Sequence, residues 1–129
     1  MLIQDPIKAY QTVEQDLLVE GADPHSLVQI LFAEFLVNIE LTIAAIERSD
    51  LAAKSAHITK SMMACHLLAS SLDYDKGGEV AVSLGEIYEW SRRKMLDASI
   101  KNSIPLLQEV HQIIGDISSA WNMISAKAA

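Results

Sequence analysis

The segment from Ser26 to Ile46, SLVQILFAEFLVNIELTIAAI, is the most apolar run in the chain and constrains the fold more than any other. Successive residues of an α-helix lie about 100° apart around its axis. At that spacing six apolar residues fall on one side: Val28, Phe32, Phe35, Ile39, Ile43 and Ile46. The pattern predicts a long helix that is buried along this stripe.

The same segment carries a second set of apolar residues about half a turn away. This set, called the Ile30 row, consists of Ile30, Val37 and Leu41. Polar residues separate the two sets: Gln29, Glu40 and Glu47 on one flank, and Glu34 and Asn38 on the other. A helix with two apolar sides is either enclosed in a larger fold or presents one side to another chain. The length of 129 residues favours the second alternative.

A second helix is predicted from Leu51 to about Ser71, with Asp50 as its N-cap. Its core stripe is Leu51, Ile58, Met62, Cys65, Ala69 and Leu72. Beside that stripe runs a second apolar row, formed by Ala52, Ala56, Met63 and Leu67. Its last three members, Ala56, Met63 and Leu67, are called the Ala56 row. Flexible methionine and small alanine suit a surface that accepts varied partners. Burial of this row inside the protein is an equally good alternative.

Two more helices follow a polar break at 73–78, which ends in Gly77 and Gly78. The third helix is predicted from about Glu79 to Ile100, with Val80, Leu84, Ile87, Met95 and Ala98 on its inner face and Tyr88 beside them. The last helix is capped by Ser103, and its apolar residues are Leu107, Val110, Ile114, Ile117, Trp121 and Ile124, widened by Leu106 and Ile113. Strand signals are absent. The predicted fold is therefore all-α, an antiparallel up-down four-helix bundle over residues 22–125.

Residues 1–21 predict a short helix packed across this bundle, within a single domain of residues 1–129. Its apolar positions form one thin edge that includes Ile7, Tyr10 and Val13. Burial of such a small apolar area compensates only a small part of the conformational entropy that the segment loses on ordering. We therefore expect this segment to be mobile and able to dock over an apolar groove.

Composition excludes several classes of function. The formal net charge of −7 argues against binding to nucleic acid, because contacts with phosphate groups require clustered Lys and Arg. Glu34 and Glu40 within the apolar helix argue against membrane insertion. The N-terminus lacks the pattern of a secretory signal, so we expect a cytosolic protein. Cys65 is the single cysteine and is expected to be a buried free thiol.

Motifs for catalysis or metal binding are missing from the sequence. No histidine lies four residues from another histidine or from a cysteine, as a metal pair on one helix face requires. The loop that begins at Asp73 has Leu84 where a calcium loop needs a bidentate glutamate. Neither a phosphate-binding glycine loop nor a nucleophile elbow occurs. We expect no enzymatic activity, no metal and no cofactor.

The order and spacing of certain residues resemble the FliS family of flagellar secretion chaperones along nearly the whole chain. The motif Leu72-Asp73 followed by 77–81, Gly-Gly-Glu-Val-Ala, carries this resemblance most specifically. Other matching positions are Ala9-Tyr10-Gln11, Pro24-His25, Leu27, Leu31-Phe32, Ile58, Lys60, Leu84, Ile87-Tyr88, Leu96, Ala98 and Trp121. Ser61 departs from the pattern, since alanine usually follows the lysine.

The resemblance implies a four-helix cytosolic chaperone that binds the C-terminal segment of newly made flagellin and prevents its premature polymerisation. It also implies delivery of flagellin to the flagellar type III export gate, with other flagellar regulatory proteins as further partners. We expect the client-binding surface to comprise Ile7, Tyr10, Val13, Ile30, Val37, Leu41, Ala56, Met63 and Leu67. The alternative is a helical bundle that uses the Ile30 row to form a homodimer without chaperone activity. The expected oligomeric state is a monomer or a weak homodimer.

Overall fold

The computed structural model describes residues 23–124, which form four α-helices and contain no strand. The helices are α1 (Pro24–Glu47), α2 (Leu51–Ser70), α3 (Tyr74–Lys101) and α4 (Ile104–Asn122). The prediction of an all-helical chain is confirmed for these residues. The predicted N-terminal helix lies outside them.

Each described helix begins with a side chain that accepts a hydrogen bond from a backbone N–H of its first turn. These caps satisfy donors that have no partner within the helix. The capping residues and the bonded N–H groups are Asp23 with Ser26 (2.7 Å), Asp50 with Ala53 (3.0 Å), Asp73 with Lys76 (3.0 Å) and Ser103 with Leu106 (3.3 Å). The predictions for Asp23, Asp50 and Ser103 are confirmed.

Helix α3 begins five residues earlier than the sequence predicts, at Tyr74 instead of Glu79. The Asp73 cap stabilises a first helical turn, and the chain then kinks at Gly78, where φ is 52° and ψ is −128°. Residues with a side chain rarely adopt this backbone conformation, which explains the glycine. The Tyr74 hydroxyl lies 2.8 Å from the position that a Cβ on Gly85 would take. The kink therefore folds the first turn back onto the rest of α3.

The four helices pack in a closed ring, in which α1 contacts α2 and α4, and α3 contacts α2 and α4. Side-chain bonds record how the neighbours run past each other. Phe35 and Asn38 of α1 bond Ser61 and His57 of α2. The contact that lies later in α1 therefore involves the residue that lies earlier in α2.

The contacts of α2 with α3 and of α1 with α4 follow the same rule. In α2, Lys54 bonds Ser99 and Cys65 bonds Tyr88 of α3. In α1, His25 bonds the carbonyl of Trp121, and Glu40 pairs with His111, both in α4. In each pair of helices, the residue numbers of the contacts again increase along one helix and decrease along the other.

The core is formed by apolar side chains from all four helices. The largest fully buried ones are Phe32, Phe35, Ile39, Leu68, Met95, Leu107, Val110 and Ile114. Four residues that the sequence places on the apolar stripes of their helices are instead exposed: Leu51 by 64%, Val80 by 69%, Ile113 by 37% and Ile124 by 41%. Leu51 begins α2 and Val80 follows the Gly78 kink. The helical period is correct at both places, but the neighbouring helices leave these ends uncovered.

Two serines in the core have opposite hydrogen-bonding states. The Ser61 hydroxyl, at the position where the FliS pattern usually has alanine, donates to the carbonyl oxygen of Phe35 at 2.8 Å. The Ser91 hydroxyl is fully buried and has no hydrogen-bond partner among residues 23–124. A buried polar group without a partner lowers stability by about 1–3 kcal/mol.

Replacing each serine by alanine separates these two environments. Both changes raise helix propensity equally, so the difference between the variants reports the hydroxyl alone. We expect Ser91→Ala to have a free energy of unfolding about 1–3 kcal/mol higher than Ser61→Ala. Urea unfolding followed by circular dichroism measures the difference. Equal stabilities would show that the Ser91 hydroxyl is satisfied.

Candidate partner-binding groove

The Ile30 row lies on the surface of α1. Ile30, Val37 and Leu41 are exposed by 39%, 47% and 41%, whereas Phe35 and Ile39 of the same helix are fully buried. Scattered apolar residues are normal on a protein surface, but three that share one helix face form a continuous strip. Helix α1 therefore has one face in the core and one apolar strip in solvent.

Asn38 differs from its sequence interpretation, because it is buried in the contact between α1 and α2 and does not lie on an exposed polar flank. Its amide nitrogen donates to the carbonyl of Glu34 at 2.8 Å. Its amide oxygen accepts from Nδ1 of His57 at 3.3 Å. The Thr42 hydroxyl donates to the Asn38 carbonyl at 2.6 Å. These bonds satisfy the buried polar groups and fix the register of α1 against α2.

The Ala56 row lies on the neighbouring helix. Ala56 is exposed, whereas Met63 and Leu67 are half-buried, and Leu67 also packs against the core. The sequence left open whether this row is buried inside the protein or exposed to a partner. Each alternative holds in part, because one side of Leu67 contacts the core and the other is accessible.

Helix geometry places the two rows on the outward sides of two neighbouring helices. At about 100° per residue, the Ile30 row lies about a quarter turn from Asn38, which faces α2, on the side away from the core, with Glu34 between them. The Ala56 row lies next to the α1-facing residues of α2, on the side away from α3, by the same count. We call the surface between the two rows the outer groove.

The register of α1 against α2 matches the two rows along this groove. Because Phe35 is level with Ser61, and Asn38 with His57, Leu41 lies near the level of Ala56 and Ile30 near that of Leu67. From Ile30 to Leu41 the groove extends about 17 Å at a rise of 1.5 Å per residue. That length matches about three turns of a partner helix.

The predicted site residues Ile7, Tyr10 and Val13 lie outside the described residues. The other six, of the Ile30 and Ala56 rows, lie on the outward sides of the neighbouring helices α1 and α2. A second apolar depression, lined by Glu86, Ile87, Trp90 and Ile113, was missed by the sequence interpretation, which placed Ile113 in the core. Ile113 is exposed instead, because the buried stripe of α4 is narrow and centred on Leu107, Val110 and Ile114.

Helix α1 is also long and apolar enough to cross a membrane by length and composition, the one helix within residues 23–124 that meets this test. The core helix of a soluble protein passes the same test. Phe32, Phe35 and Ile39 of α1 are packed in the core. The apolar character of α1 is therefore explained by the core on one side and the outer groove on the other.

Cys65 is buried, as expected, and its thiol donates to the carbonyl oxygen of Tyr88 at 3.3 Å. Burial raises the pKa of the Cys65 thiol to about 12, and the nearby Glu89 carboxylate adds to this shift. The thiolate is the reactive form of cysteine, so the native thiol is chemically inert near neutral pH. Within residues 23–124 no group of side chains is arranged to hold a metal ion.

This burial predicts a difference in thiol reactivity between the folded and unfolded protein. At pH 8, we expect iodoacetamide to alkylate native Cys65 at least about 100-fold more slowly than the urea-unfolded chain. Stability should also fall as the pH rises from 9 towards 12, because the unfolded thiol then ionises while the folded one stays protonated. Mass spectrometry measures the alkylation. Equal rates in both states would contradict the burial of this thiol.

Comparison with known proteins agrees with the resemblance seen in the sequence. A family profile described as "Flagellar protein FliS" matches residues 6–128. The chain belongs to the FliS family. The resemblance inferred from the residues alone is thereby confirmed.

Several similar proteins are named flagellar secretion chaperones. The chain is 33% identical over 124 residues to the flagellar secretion chaperone FliS of Salmonella typhimurium, covering 95% of this chain and 92% of that protein. It is 31% identical over 125 residues to the flagellar secretion chaperone FliSB of Pseudomonas aeruginosa, covering 97% and 99%. The FliS of Vibrio cholerae is 30% identical over 118 residues, covering 92% and 87%.

Residues that carry the FliS resemblance have structural roles in this chain. The motif at 72–81 contains the Asp73 cap and the Gly78 kink of α3. His25 and Trp121 meet where α1 begins and α4 ends, and their rings stack with centroids 4.8 Å apart. The His25 ring donates from Nε2 to the Trp121 carbonyl at 3.2 Å, and the Trp121 ring donates from Nε1 to the His25 carbonyl at 3.1 Å. The pair thus joins the first and last described helices.

Proposed function

We propose that this FliS-family protein is a cytosolic export chaperone that binds the C-terminal segment of newly made flagellin. In this proposal it prevents premature polymerisation and assists delivery of flagellin to the flagellar type III export apparatus. The exposed apolar outer groove carries the proposal, because it offers a client surface in a chain whose relatives are flagellar secretion chaperones. The export gate and other flagellar regulatory proteins are further proposed partners.

The proposed architecture is a single domain, an antiparallel up-down four-helix bundle with a short N-terminal helix. The ring of helix contacts and the opposite course of the bonded positions support this arrangement for residues 23–124. Such a bundle supports binding because its rigid helices hold the Ile30 and Ala56 rows at a constant separation.

The proposed mode of binding is an amphipathic client helix in the outer groove. Its apolar residues at positions i, i+3, i+4 and i+7 would contact the Ile30 row on one side and the Ala56 row on the other. Met63 suits this task, because its flexible thioether side chain repacks around different client residues. Leu67 packs against the core, and the part of its side chain that remains accessible would contact the client.

Reversible binding follows from coupled folding of the client. A disordered segment loses conformational entropy when it becomes helical on the chaperone, and this loss offsets part of the contact free energy. Affinity is therefore moderate for the area buried. A chaperone that must release its client for export needs that balance.

The proposed activity requires neither catalysis nor a cofactor. Shielding of apolar client residues depends on contact area alone, and no bond is made or broken. The net charge of −7 disfavours binding to nucleic acid and to anionic membranes. The proposed location is the cytosol, where this protein would encounter newly made flagellin.

Val37→Glu combined with Leu41→Glu tests the outer groove directly. Both residues are exposed in the free protein, so helicity and melting temperature should stay within the range of ordinary surface substitutions. Binding should weaken by at least about 100-fold, because two apolar contacts are lost and two charges are desolvated. Calorimetric titration with intact flagellin, and with flagellin lacking its C-terminal segment, measures the change.

Val80→Glu serves as the matched control. Val80 is more exposed than Val37 but lies on α3, outside the outer groove. This variant should bind intact flagellin as the native chain does. If the Val37 and Leu41 double variant retains native affinity and fold, the client surface lies elsewhere. If the native chain does not distinguish intact from truncated flagellin, the C-terminal segment is not the client.

The homodimer alternative uses the same Ile30 row and predicts a different result. Sedimentation would then show a stable dimer that neither binds flagellin nor dissociates when flagellin is added. The chaperone proposal instead predicts a complex of this chain with flagellin, and Val37→Glu combined with Leu41→Glu weakens that complex.

Ile7, Tyr10 and Val13 are proposed as a second contact, in a segment that covers the outer groove until a client displaces it. The thin apolar edge and acidic flanks of this segment motivate the proposal. Hydrogen exchange of residues Ile3 to Leu17 should therefore become faster when flagellin binds. Amides around Met95, which is fully buried, provide the internal control. Unchanged protection of Ile3 to Leu17 would exclude a displaced cover.

A further inference from the structure

One charged residue interrupts the apolar strip that α1 presents to solvent. Ile30, Glu34, Val37 and Leu41 follow one another in steps of four, three and four residues, and all four are exposed. This alternation is the heptad spacing of a helix that pairs with another helix, and residues with that spacing form the seam between the two. Glu34 therefore occupies a seam position between Ile30 and Val37, where a heptad normally carries an apolar residue.

The two acidic residues beside this strip are in different states. Within residues 23–124, none of the ion pairs includes Glu34. Its backbone carbonyl accepts a hydrogen bond from Asn38, but that bond does not involve the carboxylate. Glu40, in contrast, is bonded through its carboxylate to Nε2 of His111 in α4 at 2.9 Å. Among the described residues, the carboxylate of Glu40 is paired and that of Glu34 is hydrated.

A client helix that covers the outer groove removes water from the Glu34 carboxylate. This removal is unfavourable unless a cation or hydrogen-bond donors replace the lost hydration. A client with an apolar or acidic residue opposite Glu34 provides no such replacement, whereas Lys or Arg provides the opposite charge. In coiled coils, a single polar residue in the seam fixes the register of the two helices and lowers the stability of the pair. Glu34 meets the conditions for the same effect on a client.

A cation of this chain also lies beside the outer groove. In α2, steps of four, three and four residues recur in Ala56, Lys60, Met63 and Leu67. The register of α1 against α2 puts Lys60 near the level of Val37, one seam step away from Glu34. The two charged residues lie on opposite sides of the outer groove, so a client helix in the groove lies between them. Pairing of Glu34 with Lys60 is the alternative to pairing with the client.

We propose that Glu34 determines which helix the outer groove accepts and fixes its register, by pairing with one Lys or Arg in the apolar stripe of the client. This inference rests on the proposed function, in which a helix of the flagellin C-terminal segment occupies the groove. It adds the chemistry of that helix, which is amphipathic and carries one basic residue within its apolar stripe. A slip of the client by one heptad moves this residue about 10 Å along the groove, out of reach of Glu34.

Charge reversal on both partners tests this contact in the full-length proteins. Each Lys and Arg of the flagellin C-terminal segment is changed to Glu, one at a time, and calorimetric titration measures binding to the native chain and to Glu34→Lys. Glu34→Lys should bind unmodified flagellin at least about tenfold more weakly than the native chain does, because an attractive contact becomes repulsive. One flagellin variant should bind the native chain weakly but bind Glu34→Lys with near-native affinity, because the opposite charges are restored.

Glu40→Lys is the matched control. Glu40 is an exposed acidic residue of the same helix, but it lies on the flank of the strip that faces α4. None of the flagellin variants should bind Glu40→Lys more tightly than they bind the native chain. Both Glu34 and Glu40 are exposed, so each variant should remain folded, which circular dichroism confirms. Lys60→Glu combined with Glu34→Lys tests pairing within the chain.

Three results would contradict a contact between Glu34 and a basic client residue. The first is native affinity of Glu34→Lys for flagellin, and the second is a loss of affinity that no flagellin variant restores. The third is a loss restored by Lys60→Glu in the chaperone, since the partner of Glu34 would then belong to this chain.

The failure of this inference differs from a failure of the proposed function. If V37E with L41E loses flagellin binding while Glu34→Lys keeps it, the outer groove is the client site and only the role of Glu34 is wrong. If the native chain does not bind flagellin, both proposals are wrong.

Discussion

The contact between α1 and α2 is the constraint on which the rest of the structure depends. Small side chains such as Ala45, Ser61 and Ala64 are fully buried, so the two helices approach closely. Bonds from Ser61 to the Phe35 carbonyl and from His57 to Asn38 then fix the register. Small and polar residues occupy this close contact. The larger apolar side chains of α1 therefore lie either in the core or along the outer groove.

Most of the fold could be predicted from the sequence, because helix caps and apolar periodicity are local signals. Asp23, Asp50 and Ser103 cap the helices as expected, and Phe35 and Ile39 lie in the core. The errors occurred where tertiary packing overrides periodicity. Leu51 and Val80 have the right period but lie beyond the neighbouring helices, and α3 begins at Tyr74 because Asp73 caps a turn before the Gly78 kink.

The candidate site was predictable in part, since surplus apolar surface on one helix can be read from spacing. The exposure of Ile30, Val37 and Leu41 follows from that surplus. Spacing could not show that Asn38 lies buried against His57, because the choice of partner for a polar side chain depends on the neighbouring helix. It also could not locate the depression beside Trp90, which needs residues from α3 and α4 together.

The stacked pair of His25 and Trp121 has a consequence for how the chain is made. These residues are 96 positions apart, so the start of α1 gains its closing contact only when the end of α4 has left the ribosome. Long-range contacts of this kind form late. During synthesis, the side of α1 that faces α4 therefore stays uncovered until the last helix has been made. The nascent protein thus exposes apolar surface of the kind that makes incomplete chains prone to aggregate.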